Sequence, residues 1–199
     1  YPRAIAGLLP GTLYYFCAIA SNSVGLSFGT LLTFTTPPTA PLVTTSSAFP
    51  VTGTSATLNG FANPRGDATT GWYRFSSTNP VTCSDTFGTR APAAGGTSLG
   101  SGNSSVSFAE VATGLTPGTT YYFCAIASNT MGNGYGSVLS FTTPNVPVVT
   151  TQAASSIGGT FATLNAQANP SGATTTGWFR YSATDPGSCN DNFGTRAPS

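Results

Sequence analysis

The chain has 199 residues, of which 6 are basic (all arginine) and 5 acidic, with no His and a formal net charge of +1. Charged residues make up 6% and hydrophobic residues 39%, whereas ordinary soluble domains are about 25% charged. This composition leaves no electrostatic footprint for nucleic acid or an anionic membrane and removes the commonest general base and metal ligand, so no catalytic residue, cofactor or metal is expected. The surface must be covered by Ser, Thr, Asn and Gly. Such a surface repels copies of itself weakly and permits close packing between them. No apolar run is long enough to cross a bilayer as a helix.

Read in chain order, the sequence repeats. Gly7–Asn22 reads GLLPGTLYYFCAIASN and returns as GLTPGTTYYFCAIASN at Gly114–Asn129. Ala56–Pro92 returns at Ala162–Pro198, and TGWYRF becomes TGWFRY. A period near one hundred residues means tandem domains, each with its own core. Residues 1–37 read as the C-terminal part of a domain, 38–144 as a complete one and 145–199 as the N-terminal part of a third. Within the complete repeat, segments rich in Thr, Val, Tyr and Phe alternate with Gly, Pro and Asn. Strands are expected at Leu42–Ser46, Ser55–Phe61, Thr69–Ser76, Ser105–Val111, Thr119–Ser128 and Ser137–Thr142. In the clearest of these, Tyr121, Phe123, Ala125 and Ala127 face one way and Tyr122, Cys124 and Ile126 the other. About seven strands per repeat is the count of an all-β sandwich. The segments between repeats, Pro37–Pro41 and Pro144–Pro147, are proline-bounded and should be semi-rigid.

Leu115-Thr-Pro-Gly-Thr-Thr-Tyr121, followed by alternation to Asn129 and by Phe141-Thr-Thr-Pro144, resembles the second half of a fibronectin type III-like domain. Ala56-Thr-Leu-Asn-Gly-Phe-Ala-Asn-Pro64, followed by the aromatic strand at 71–75, is similar to the first half in bacterial extracellular or surface proteins. The resemblance implies immunoglobulin-like β-sandwiches in tandem. It makes Tyr14 and Tyr121 tyrosine-corner residues. It places Leu58, Tyr73, Phe75, Leu115, Phe123, Ala125, Leu139 and Phe141 in the core. The chain departs from the family at Cys83 and Cys124, because such domains usually lack a disulfide, and in the long segment Ser76–Ala94.

The departure has a physical reading. Cys124 lies on the outer face of its strand, beside Trp72 and Arg74 of the neighbouring strand. A Cys83–Cys124 disulfide would staple Ser76–Ala94 over an outer patch of Trp72, Tyr122 and Ile126, with Trp178 the counterpart of Trp72 in the following repeat. Either the segment forms a second hydrophobic layer or part of the patch stays open and mates with another copy. Exposed Trp72 and Trp178 would suit stacking on sugar rings, whereas a covering segment would prevent it. Cys17 and Cys189 are half-pairs of the same kind, with partners in another copy or in further chain. Asp85 with Arg74 and Arg90, repeated as Asp191 with Arg180 and Arg196, reads as an ion-pair frame for the TFGTR segment. A calcium site at Asn190–Asn192 fails because its counterpart Ser84-Asp85-Thr86 lacks the oxygen ligands. Asn103-Ser-Ser is the one N-glycosylation sequon.

These features predict a non-enzymatic structural repeat of an extracellular fibre or cell-surface stalk. The alternative is an adhesin or carbohydrate-binding accessory region of a large secreted protein or enzyme, whose partner is a polysaccharide or a host or cell surface. The main expected partner is another copy of the chain, head to tail. Nucleic acid and membrane insertion are not expected. Residues 1–36 supply closing strands and 147–199 opening strands, and together they lack only the counterparts of residues 94–107. Ser199 of one copy should therefore lie near Tyr1 of the next, with the two halves completing one shared sandwich in an open-ended filament.

Overall fold

The computed structural model of the chain describes residues 1–198, all strands and connections, in two compact units, Tyr1–Thr143 and a second beginning at Pro144. The first unit opens with β1 (Leu13–Phe16), β2 (Ile19–Ser21), β3 (Leu26–Phe28) and β4 (Leu32–Thr35). It continues with β5 (Leu42–Ser46), β6 (Ser55–Asn63), β7 (Thr69–Ser76), β8 (Thr89–Ala91) and β9 (Thr97–Gly100). It ends with β10 (Val106–Thr113), β11 (Thr120–Asn129), β12 (Gly132–Tyr135) and β13 (Leu139–Thr142). The second unit holds β14 (Val148–Ser155), β15 (Thr163–Asn169), β16 (Phe179–Tyr181) and β17 (Thr195–Ala197).

Strands β5–β13 form a β-sandwich of the fibronectin type III-like kind. One sheet has the order β10-β6-β5. The other runs β12-β11-β7-β8, with β13 also on β11 and β9 also on β7. The nine segments fill seven strand positions. β12 and β13 lie end to end along one edge of β11, and β8 and β9 share the opposite edge of β7. All pairings are antiparallel, and Phe123 lies opposite Phe75 and Leu139. Alternation along β11 sends Phe123, Ala125 and Ala127 between the sheets to meet Leu58, Tyr73, Phe75, Phe108 and Leu115. Tyr121, Leu139 and Phe141 close the margin of that core. Tyr73 carries a hydroxyl into the core and donates it to the Phe108 carbonyl at 2.7 Å. Burial, with the Glu110 charge nearby, pushes that phenol far above its ordinary range.

Six expected strand boundaries move by one or two residues, those of β10 and β11 at both ends. β6 runs on to Asn63 and β10 to Thr113, because the two pair continuously from Ala62–Val106 to Ser55–Thr113. The last strand starts at Leu139 rather than Ser137, because the backbone of Gly136 is already used in a bond to the Ala125 carbonyl.

The flanking strands reproduce pieces of this sandwich. β1 pairs β4 in the register of β11 with β13, with Tyr14 opposite Phe34 as Tyr121 is opposite Phe141. β2 pairs β3 as β11 pairs β12. In the second unit, β14–β15 reproduces β5–β6, and β16–β17 reproduces β7–β8. Among the described residues, neither piece has a counterpart of β9 or β10, and the pairing that β7 makes with β11 has no equivalent. No strand covers the inner faces of either piece. Phe16 is 49% exposed, whereas its counterpart Phe123 is fully buried. The expected approach of Ser199 to another copy falls on a residue outside those described.

Candidate functional site

Three arrangements carry chemistry or contact: a stapled outer layer, a junction between consecutive repeats, and the open faces of the two partial sandwiches.

The outer layer is built on β7 and β11. Register places Ile126 opposite Trp72 and Cys124 opposite Arg74, so these four side chains share the face turned away from the core. Cys83 and Cys124 form a disulfide, with their Cα atoms 6.0 Å apart. The bond pins the connection after β7 over this face. Trp72, Cys124 and Ile126 form a second buried cluster, against which Cys83, Phe87 and Val138 pack. Tyr122 lies on the same outer face but is not part of this buried cluster. It lies one pair further along the ladder, opposite Ser76, and is half-buried there.

The same connection brings Asp85 to Trp72. The indole Nε1 donates to Asp85 Oδ1 at 2.8 Å, and Arg74 Nε donates to the same oxygen at 2.9 Å. Arg90 stacks over the Trp72 ring, its guanidinium carbon 4.7 Å from the centroid. Arg90 also donates to the carbonyls of Pro92, at 2.8 Å, and Gly95. Burial works against the Asp85 charge. The bonds from Arg74 and Trp72 and the two guanidinium charges outweigh it and hold the carboxyl below the usual carboxylate range. Every strong polar group here is occupied by another. Trp72 has no free ring face for a sugar, being sandwiched between Arg90 and the outer cluster.

In the second unit the two bonds to the aspartate and the stacked arginine recur. Trp178 and Arg180 both donate to Asp191 Oδ1, at 2.8 and 2.9 Å, and Arg196 lies 4.6 Å over the indole. The Trp178 and Arg180 bonds, in that order, hold Asp191 below its ordinary range. Yet Trp178 is 42% exposed, against 7% for Trp72. The connection after β16 is present in both repeats, so the connecting segment alone does not cover the indole. What Trp178 lacks is the neighbouring strand that brings Ile126 and Cys124 to Trp72. Cys189 and Cys17, the counterparts of the bonded pair, are exposed free thiols.

The tyrosine-corner positions are occupied alike in both copies. The Tyr121 hydroxyl accepts from Thr116 N at 3.0 Å and the Tyr14 hydroxyl from Leu9 N at 2.8 Å. Beside each, a threonine closes the turn. Thr143 Oγ1 donates to the Thr116 carbonyl at 2.7 Å, and Thr36 Oγ1 donates to the Leu9 carbonyl at 2.6 Å.

The junction was not visible in the sequence. The Pro10-Gly11-Thr12 turn of the first repeat meets the Asn63–Gly66 turn of the second. Asn103 Nδ2 donates to the Pro10 carbonyl at 2.8 Å and to Thr12 Oγ1 at 3.2 Å. Asn63 Nδ2 donates to the Asn103 carbonyl at 2.9 Å, and Thr39 N to the Arg65 carbonyl at 3.2 Å. Asn129 Nδ2 reaches the carbonyls of Thr39 and Pro64, at 2.9 and 3.1 Å. Gly11 and Gly66 touch backbone to backbone. A Cβ built on Gly66 would stand 2.6 Å from the Gly11 Cα, and both glycines have positive φ. Only the pair of glycines permits this approach. The sequon residue Asn103 thus spends both amide hydrogens on the junction, and its Oδ1 is buried without a partner.

In the second unit an apolar cleft of about 620 Å³ is lined by Ala162, Leu164, Phe179, Tyr181 and Ala197, among others. Their counterparts Ala56, Leu58, Tyr73, Phe75 and Ala91 are all core residues of the complete sandwich. The cleft is the unfilled half of that core. Among the described residues, no group of three His, Cys, Asp or Glu side chains is placed to hold a metal ion.

No protein-family model matches the chain, and no curated protein matches it. Among solved structures, it is similar to the sensor domain of the anti-sigma factor RsgI4 in Pseudobacteroides cellulosolvens, at 20% identity and a TM-score of 0.35, over 52% of this chain and 88% of that one. A second similar structure is that of the chicken CNTN1 FN1–FN3 domains, at 18% identity and a TM-score of 0.29, over 68% of this chain and 42% of that one.

Proposed function

We propose that this chain is a non-enzymatic structural segment of an extracellular fibre or cell-surface stalk, built from tandem fibronectin type III-like repeats. The junction carries this reading. The first repeat meets the second through two turns whose backbones touch at Gly11 and Gly66 and whose polar groups interlock through Asn63 and Asn103. A short proline-bounded connection with interlocked turns resists bending, which suits reach and tension rather than closure around a substrate. The disulfide supports an oxidising, extracellular setting. The sparse charge supports dense lateral packing.

Imaging of the native material tests the reading: regular rods or filaments are expected. Soluble monomers that bind a polysaccharide would favour the accessory-region alternative. Against that alternative stands Trp72, the aromatic best suited to a sugar, which is covered by Arg90 and the outer cluster.

A further inference from the structure

Resting on that structural reading, we propose that stalks built from this chain pack side by side through the outer face of the β10-β6-β5 sheet, with the same face of a second copy as its partner. The two outer faces of the complete sandwich differ in kind. That of the β7–β11 sheet lies beneath the stapled connection and carries Arg74, Asp85 and Arg90. In the β10-β6-β5 sheet, Val43, Leu58, Ala62, Phe108 and Ala112 point into the core, so alternation turns their neighbours outward. Register sets Thr44, Phe61 and Ser107 in one row of that outer face, and Thr57 beside Val111 in another. Leu42, Phe61 and Val111 are 56, 45 and 57% exposed there. The charged residues of the complete repeat all lie elsewhere. Arg65 and Asp67 are in the turn after β6, and Arg74, Asp85 and Arg90 belong to the stapled layer. Glu110, on the edge strand β10, stands opposite Leu58 and accepts from Thr97 Oγ1 at 3.3 Å, so it points inward. An inward charge on an edge strand opposes edge-to-edge pairing and leaves the face as the surface for contact. In the second unit β14 and β15, the counterparts of β5 and β6, carry no charged residue either, and Arg180, Asp191 and Arg196 again belong to the other sheet and its connection.

A second copy is the occupant that fits. A charged partner finds no counter-charge on this face, whereas two uncharged faces meet without repulsion and without burying an ion. Beside Phe61 lies a shallow hollow of about 450 Å³ lined by Ser46, Asn59, Ser107 and Ala109. The Asn59 amide is already spent on the Ser47 and Phe49 carbonyls, at 3.0 and 3.2 Å, so it has no hydrogen left for a sugar hydroxyl. In a two-fold contact the Phe61 ring of each copy enters the hollow of the other, and both rings leave water. Three strands about 4.8 Å apart present roughly 400 Å² per copy, which is half of the about 800 Å² per partner that a stable complex buries. One pair of repeats therefore holds weakly, and stalks gain their hold by repeating the contact along their length.

The test records 15N–1H spectra of the full chain on dilution from about 1 mM, the range in which weak contacts populate. The amides of Thr44, Phe61, Ser107 and Val111 should shift with concentration, at low and high salt alike. Phe61→Asp, a substitution at an exposed position, should remove these shifts while the Tyr73 and Phe123 amides keep their folded positions. Shifts that are absent at every concentration, that fall on other residues alone, or that survive Phe61→Asp would each overturn the proposal. So would shifts of these amides by cello-oligosaccharides in a chain that does not self-associate, because the face would then take sugar. Imaging of the native material separates this contact from the reading beneath it. Rods lying side by side support both. Rods that always lie singly overturn the contact and leave the stalk reading standing, whereas soluble monomers overturn the stalk reading itself.

Discussion

The Trp72 indole donates to Asp85 at 2.8 Å, and the same bond joins Trp178 to Asp191 at the same length in a repeat that has neither the disulfide nor the neighbouring strand. The polar frame of the connection is therefore a property of one hairpin and its following loop. Sandwich completion adds apolar cover over a frame already formed. This ordering separates two contributions that a single complete domain would confound: fixing the loop and burying the tryptophan.

The Asp85 carboxyl is held below its ordinary range in the folded state. Its contribution is thus present above the unfolded carboxylate value of roughly 4 and is lost as pH falls through the lower folded value. Asp85→Asn keeps an acceptor for Trp72 but loses the charge facing Arg74 and Arg90. The expected cost at neutral pH is about 1 kcal/mol, modest because the pair is partly solvated. Urea melts between pH 7 and 2 check this. The variant's deficit should shrink towards zero at the acid end, and a deficit constant with pH would contradict the ionic account.

The Cys83–Cys124 bond spans 41 residues, for which chain entropy gives about 4 kcal/mol. Reduction, or Cys83→Ala with Cys124→Ala, should lower the Tm of the complete domain substantially. In a Trp178→Phe background it should also shift Trp72 emission to the red, as the connection lifts from the outer cluster. Thermal melts and fluorescence with and without reductant read both. Unchanged emission after reduction would mean that Arg90 and Asp85 hold the layer without the staple.

Tyr121→Phe removes the hydroxyl that accepts the Thr116 amide and leaves the ring between Phe75 and Phe141. The expected loss is about 1 kcal/mol in denaturant melts, from one exposed backbone donor that loses its protein acceptor. Tyr14→Phe should cost the complete domain nothing, because its bond to Leu9 lies in the preceding repeat.

The sandwich was legible where period 2 is long and unbroken. β11 alternates over ten residues, and its division into a Phe123 face and a Cys124 face follows from that alone. The short strands β8, β9 and β12 were not legible. Each has three or four residues, and each exists because a long partner strand offers it hydrogen bonds, which leaves no mark in its own composition. Arg90 over Trp72 was missed for a related reason, since stacking depends on β8 lying beside β7. The junction was hidden differently. Gly11, Asn63, Gly66 and Asn103 each look like ordinary turn residues, and only their meeting in space makes them a contact.

That contact supports a prediction with an internal control. Gly66 and Gly172 are counterparts with nearly the same backbone, at φ of +91° and +93°. An added Cβ at Gly66 meets the Gly11 backbone at 2.6 Å, whereas at Gly172 the nearest atom is 3.7 Å away. Both Gly→Ala variants carry the strain of an L-residue at positive φ, of order 1 kcal/mol. Gly66→Ala also pushes the first repeat away from the second. The stability change of Gly66→Ala should therefore resemble that of Gly172→Ala, while residues 1–36 gain independent motion in Gly66→Ala alone. Backbone 15N relaxation should then give those residues a shorter correlation time than residues 42–142, and Asn103→Ala should move them the same way by removing the bonds to Pro10 and Thr12. If residues 1–36 tumble with the complete domain in all three variants, the two turns are not what holds consecutive repeats in line.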